Sequence, residues 1–299
     1  MKTILLGIIA AGWLATAASH AADQPLTRDQ IIQLAQGLKY QQGEITLSNG
    51  FARLSVPTNF NYLGPDDAET VLVKFWGNPS PKTKLLGLLI PADKSPLERG
   101  CWVVTIAYTG DGYVKDDDAA KINYDDLMKK MQAATTENNK VRAQNGYPTV
   151  QLLGWAAPPR YDAATHKLYW AKRAKFDGED GETLNYDIRM LGRHGVLVLS
   201  AVAGMDQLDE IQQQVPQILG MVNFNTGNRY ADFDPKVDKV AAYGLAALVA
   251  GGIGVAAKLG FFKVIWVAIL ALKKFVILGV VAIGAWFKKL FGRNKTPAP

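Results

Sequence analysis

The chain has 299 residues, 33 of them basic and 27 acidic, with a pI near 9.2 and one cysteine. The basic excess sits at the ends, and residues 22–239 carry 24 positive and 27 negative side chains. A slightly acidic body excludes a nucleic-acid-binding domain, which needs basic residues concentrated on the folded surface, and a single cysteine excludes a disulfide framework, so the body must rest on a packed core.

Lys2, the apolar stretch Ile4 to Leu14 and the small residues up to Ser19-His20-Ala21 predict a secretory signal over residues 1–21, and with it export. Thr27 then caps a short helix expected over Asp29 to Tyr40. Asn49-Gly50 marks a hairpin between strands at Ile45 to Leu47 and Ala52 to Val56. Pro65 and Asp66 open a helix to Trp76, stopped by Gly77-Asn78-Pro79. Apolar strands follow at Leu85 to Ile90 and Trp102 to Tyr108, and the longest helix of the body is expected over Tyr124 to Gln144. Cys101, beside the second of these strands, reads as a buried apolar residue.

Four strands then follow closely, at Val150 to Trp155, Lys167 to Phe176, Thr183 to Met190 and Gly195 to Val202. The segments between them, including Pro158-Pro159-Arg160-Tyr161-Asp162, carry turn chemistry, so the four form an antiparallel meander. A helix is expected from Asp206 to Leu219, kinked or ended early by Pro216, and Val222 to Phe224 closes the body. The fold class is α+β: an exported domain over 22–224, rich in antiparallel sheet with a few helices, divisible into halves at 45–145 and 148–224. A polar linker spans 225–239.

No acidic residue follows Asp238. The run 240–257 is about 27 Å long as a helix, just enough to reach across a hydrocarbon core of about 30 Å, and is expected to form a transmembrane helix. Beyond it, 258–299 is a basic membrane-associated tail. Fourteen Leu, Ile, Val or Phe residues between Val264 and Phe287 favour insertion by roughly 4 to 8 kcal/mol, but Lys273 and Lys274 oppose it by roughly 5 to 7. On a helix Lys258, Lys263, Lys273, Lys274 and Lys288 share one face, the pattern of a basic amphipathic helix on anionic lipid. The spacing of Trp266 and Trp286, about 30 Å, instead fits the aromatic belts of a second span. Lys288 and Lys289 mark the untranslocated side, which puts the C-terminus in the cytoplasm and the body in the periplasm of a bacterial inner membrane. Gly252 to Ala257 matches the dinucleotide fingerprint G-x-G-x-x-A, but no acid follows to hold a ribose.

The segments Asn49-Gly50-Phe51, Val71 to Pro79, Asp111 to Asp118, Gly154 to Asp162 and Tyr169 to Lys172 resemble a family of bacterial predicted membrane-anchored proteins, domain of unknown function family 2167. The resemblance covers most of the mature chain and its tail. It implies an exported domain on an inner-membrane anchor and carries over no catalytic residue.

Site chemistry is sparse. His166 and His194 are the histidines left after signal removal; His194 reads as a turn residue and His166 as the entry to a strand. Neither a zinc motif nor a nucleophile elbow is present. Asp111, Asp116, Asp117, Asp118, Asp125 and Asp126 do not match the spacing of a calcium loop, and read as a solvated turn plus acids at the start of the Tyr124 helix. Trp155, Arg160, Tyr161 and Trp170 are the binding-surface candidates, because such residues dominate interface hot spots; Trp170 fits a core position equally well. The expected function is a non-catalytic binding or interaction domain without metal or cofactor, whose partners are membrane lipid and a protein or envelope ligand. The alternative is an envelope enzyme with a site of dispersed Asp, His and Tyr residues.

Overall fold

The structure, a computed structural model, describes residues 26–251 except Pro79, Lys82 and Asn145. Helix α1 (Arg28–Gln36) opens with the Thr27 capping box. Strands β1 (Gly43–Thr46) and β2 (Ala52–Val56) form the hairpin, and β2 alternates buried Ala52, Leu54 and Val56 with exposed Arg53 and Ser55. Strand β3 (Phe60–Leu63) leads into helix α2 (Pro65–Glu69), which widens into a π-helical stretch over Thr70–Phe75 and stops at Gly77. Then come β4 (Leu85–Pro91), β5 (Val103–Thr109) and α3 (Tyr124–Gln144). The meander is β6 (Val150–Asp162), β7 (Lys167–Phe176), β8 (Glu182–Leu191) and β9 (Val196–Gly204). Helix α4 (Leu208–Met221), strand β10 (Val222–Phe224) and helix α5 (Leu245–Ala250) complete the described chain.

The antiparallel strands β3-β4-β5-β9-β8-β7-β6 form one seven-stranded sheet, and β1-β2-β10 a second. Because β5 pairs with β9 over seven residues, the two halves anticipated from sequence share a single sheet. The main core draws Leu54 and Val56 from the small sheet, Ile106, Ile188 and Leu199 from the large one, Trp102 from just before β5, and Ile211, Val215 and Ile218 from α4. A second core packs α2 and its extension, through Ala68, Val71 and Leu72, against Leu85, Leu88 and Val103. Cys101 is buried in that second core, and burial pushes its thiol up to about 12.

Three expectations change. Strand β6 continues through Pro158-Pro159, because its outer side has no neighbour to receive a bond and the register shift between Ala157 and Arg160 leaves neither proline a partner on β7. Helix α4 does not stop at Pro216: the residue faces solvent, so the carbonyl it leaves unbonded reaches water, while Ile211, Val215, Ile218 and Met221 hold the other face. The helix expected over 240–257 does not begin at 240. Val240 is bridged to Tyr113, α5 is six residues long, and Gly251 ends it in the left-handed conformation at φ 107°. Among the described residues no helix is long and apolar enough to cross a membrane. The expected signal at 1–21 and the tail with Lys258, Lys263, Trp266, Lys273, Lys274, Trp286, Lys288 and Lys289 lie outside the described residues.

Candidate functional site

Residues 225–246 are fastened to the domain along their length and form a strap rather than a free linker. Tyr113 donates its N–H to Lys239 O at 2.8 Å and accepts from the Ala241 N–H at 2.8 Å, adding the strap as a short parallel rung. Gly112 makes this approach feasible, since a Cβ there would lie 2.5 Å from Lys239 O. In the β8–β9 turn, Arg193 Nε donates to Asp238 Oδ2 at 2.7 Å, and His194 Nδ1 lies 3.7 Å from Asp238 Oδ1. The Arg193 bond holds the Asp238 carboxyl below its usual range.

The 111–118 loop is the other half of the clasp; Asp111, Asp116 and Asp118 have defined partners, and Asp117 is exposed. Asp111 accepts from the Tyr243 hydroxyl at 2.7 Å, and Asp118 accepts from the backbone N–H groups of Leu245 at 3.2 Å and Ala246 at 3.4 Å. Asp125 and Asp126 sit in the first turn of α3, where Asn123 caps their amides. Four rings stack across the junction: His166 on Tyr230 at 4.0 Å, Tyr230 on Tyr113 at 4.3 Å and Tyr113 on Phe233 at 3.9 Å. The Tyr230 hydroxyl donates to Val114 O at 3.0 Å.

At the open end of the stack, Tyr161 donates to Asp116 Oδ2 at 2.5 Å and lies 3.1 Å from His166 Nδ1, which is 3.5 Å from the same carboxylate oxygen. Burial and the Asp116 bond both push the Tyr161 hydroxyl far up. Burial acts against the Asp116 carboxylate, but hydrogen bonding led by Tyr161 holds it below its ordinary value. His166 occupies the β6–β7 turn at φ 52°, the one left-handed non-glycine residue among those described. Glycine would adopt that conformation without strain, so histidine there is accounted for by its ring, which joins the strap to the sheet.

The four binding-surface candidates separate. Arg160 is exposed, Tyr161 half-buried in the clasp, and Trp155 half-buried with its Nε1 directed at Tyr124 O at 3.4 Å. Trp170 is 1% exposed and belongs to the interior, so it offers no surface for contact. It lies opposite Asp187 on β8, whose other strand neighbour is Ser200. Lys172 Nζ lies 3.0 Å from Asp187 Oδ2, Arg189 Nη2 lies 3.1 Å from Asp187 Oδ1, and the Ser200 hydroxyl donates to Oδ1 at 2.8 Å. The Arg189 guanidinium sits 5.0 Å from the Trp170 ring centre. Burial opposes the Asp187 carboxylate, but the two cations outweigh it and hold the group at about 2.

Tyr161, His166 and the acids stand out in the sequence as site candidates, but Tyr113, Tyr230 and Phe233 do not; the available signal is two aromatic residues inside an otherwise polar linker. Asp187 and Arg189 alternate with apolar residues and Lys172 stands beside Arg173, patterns of a solvated strand face, whereas all three side chains are largely covered. Among the described residues no group of three or more His, Cys, Asp or Glu side chains could hold a metal ion.

The site is thus a partly exposed acid, hydroxyl and imidazole cluster on an α+β domain, where two of the family-resembling segments, 111–118 and 154–162, meet the strap. The chain belongs to the family described as Protein of unknown function (DUF2167), whose model matches residues 39–284. No curated protein matches this sequence. Among solved structures it is similar to the PsbP protein CyanoP of Synechocystis sp. PCC 6803, with 8% identity, a TM-score of 0.34, and coverage of 70% of this chain and 98% of that one. It is also similar to the Ran-binding protein Mog1p of Saccharomyces cerevisiae, with 10% identity, a TM-score of 0.32, and coverage of 66% and 100%.

Proposed function

We propose that this is an exported protein of the bacterial inner membrane, with the α+β domain acting in the periplasm as a non-catalytic binding head and the basic apolar tail holding it at the lipid surface. The strap carries this reading: the domain reaches residue 246 without a free linker, which suits a head coupled to its tail. The distribution of charge supports it, with an almost balanced body and a tail whose charges are all positive.

The strap also changes what the tail can do. With Val240 to Ala250 engaged by the domain, the longest apolar stretch without a Lys or Arg in the remaining sequence is Phe275 to Phe287. As a helix it is about 20 Å long, short of the roughly 30 Å hydrocarbon core. This favours a basic amphipathic helix lying in the interface, which would leave the C-terminus on the same side as the head rather than in the cytoplasm.

Binding is favoured over catalysis because the dispersed Asp, His and Tyr groups are already engaged. The Tyr161 proton is directed at Asp116, Asp111 accepts from Tyr243, and Asp118 accepts from the start of α5. The test is fractionation with protease treatment of spheroplasts and alkaline extraction. The expected result is a membrane-bound product, digested from outside and released at high pH. Full-length product in the soluble cytosol refutes the location, and retention in the alkaline pellet refutes the interfacial tail.

A further inference from the structure

Between residues 234 and 238 the strap folds into a closed turn. The Asp238 N–H donates to Asp234 O at 2.9 Å, the Val237 N–H donates to the same oxygen at 3.2 Å, and the Lys236 N–H donates to Asp234 Oδ1 at 2.9 Å. Asp238 Oδ2 accepts from the Asp234 N–H at 2.7 Å as well as from Arg193. Both acids are thereby engaged in building the turn and tying it to the domain, and the Asp238 side chain is 4% exposed.

The side chains left to solvent have a different character. Over 235–242 the exposed residues are Pro235, Lys236, Val237, Lys239, Val240 and Ala242, which offer apolar groups and two cations and no exposed carboxylate. Val237 is 74% exposed, whereas every other exposed large apolar side chain among the described residues is at 44% or less; Val240, at 40%, is one of them. On the loop paired with the strap, Lys115 and Asp117 are both exposed and offset each other. A turn held at both ends thus keeps a valine out in water between lysines, an arrangement that packing within the domain does not require.

Apolar side chains among cations match the interface of an anionic bilayer, where lysines meet the headgroups and apolar groups enter the acyl boundary. The place of the turn in the chain selects lipid as the occupant. Even with 241–244 fully extended, these four residues and the six-residue α5 put Gly251 within about 25 Å of Val240. The basic apolar tail begins directly after Gly251, and its charges are all positive.

We infer that the turn at Lys236 and Val237, with Lys239 and Val240 beside it, is a lipid-docking surface that rests on anionic headgroups, Val237 entering the interface. This rests on the membrane attachment proposed above and adds which end of the domain meets the lipid. That end carries the β8–β9 turn, to which Asp238 is bound. The β7–β8 turn lies at the other end of the ten-residue strand β8, about 33 Å away, and stays in water.

A nitroxide is attached to V237C and, in a separate sample, to D180C in the exposed β7–β8 turn of the full chain. Cys101 is buried, and wild type is the check that it takes up no label. In vesicles of phosphatidylglycerol and phosphatidylcholine, relaxation by an aqueous nickel chelate is expected to be about fivefold weaker at 237 than at 180. Adding K236E/K239E, confirmed as folded by a cooperative thermal melt, should bring the two sites within about twofold of each other. That variant still floats with the vesicles, because the tail carries eight other basic residues. Equal relaxation at 237 and 180 in a chain that floats overturns the docking surface and leaves the attachment standing. Undiminished protection of 237 in K236E/K239E overturns the assignment to anionic lipid and marks a protein contact instead. A chain that does not float fails the attachment and the docking surface together.

Discussion

Replacing Asp187 by Asn should be among the most damaging single changes in the domain. Lys172 and Arg189 converge on this carboxylate at 3.0 and 3.1 Å, with side-chain exposures of 10, 12 and 9% for Lys172, Arg189 and Asp187. The cluster carries two positive charges and one negative, so removing Asp187 leaves two uncompensated buried cations, whereas Lys172→Met leaves a neutral pair. Breaking a buried pair in this way typically costs about 3 to 5 kcal/mol, so D187N should lose about that much and K172M clearly less. The carboxyl is held at about 2 against an ordinary 3.8, equivalent to roughly 2 kcal/mol. The group is depressed on folding, so the unfolded chain binds more protons between those values. Its contribution is therefore complete above pH ~4 and is lost as pH falls through ~2. Urea unfolding of the full chain in detergent, followed by tryptophan fluorescence, measures both effects. K172M costing as much as D187N, or identical acid sensitivity in wild type and D187N, would refute the charge argument.

Two further outcomes concern the strap. His166→Ala keeps the left-handed strain and loses the ring, whereas His166→Gly loses the ring and relieves the strain, so the glycine variant should be about 1 kcal/mol the more stable of the two; their melting temperatures decide this. Gly112→Ala sets a Cβ against Lys239 O at φ 111°, and limited proteolysis should then cleave within 225–240 well before the sheet, with an unchanged pattern counting against the clasp.

What was legible in the sequence depended on which contacts are local. β2, α3 and β7 emerge with the boundaries read from periodicity and turn residues, because their burial patterns are written along single segments. β3 was missed: Phe60 to Leu63 is a short run whose strand character comes from pairing with Leu88 to Pro91. The run through Pro158-Pro159 was misread because edge position is a property of the sheet, not of the dipeptide. Tyr161 and Asp116 were both visible as candidates, but 45 residues separate them, and only the folded chain shows that one donates to the other.

The strap has a mechanical consequence. Fifteen free residues at 225–239 would let the domain wander up to roughly 50 Å from its attachment point; clasped, they contribute none of that reach. Under the membrane attachment proposed above, these fifteen residues would add nothing to the distance at which a partner could be met.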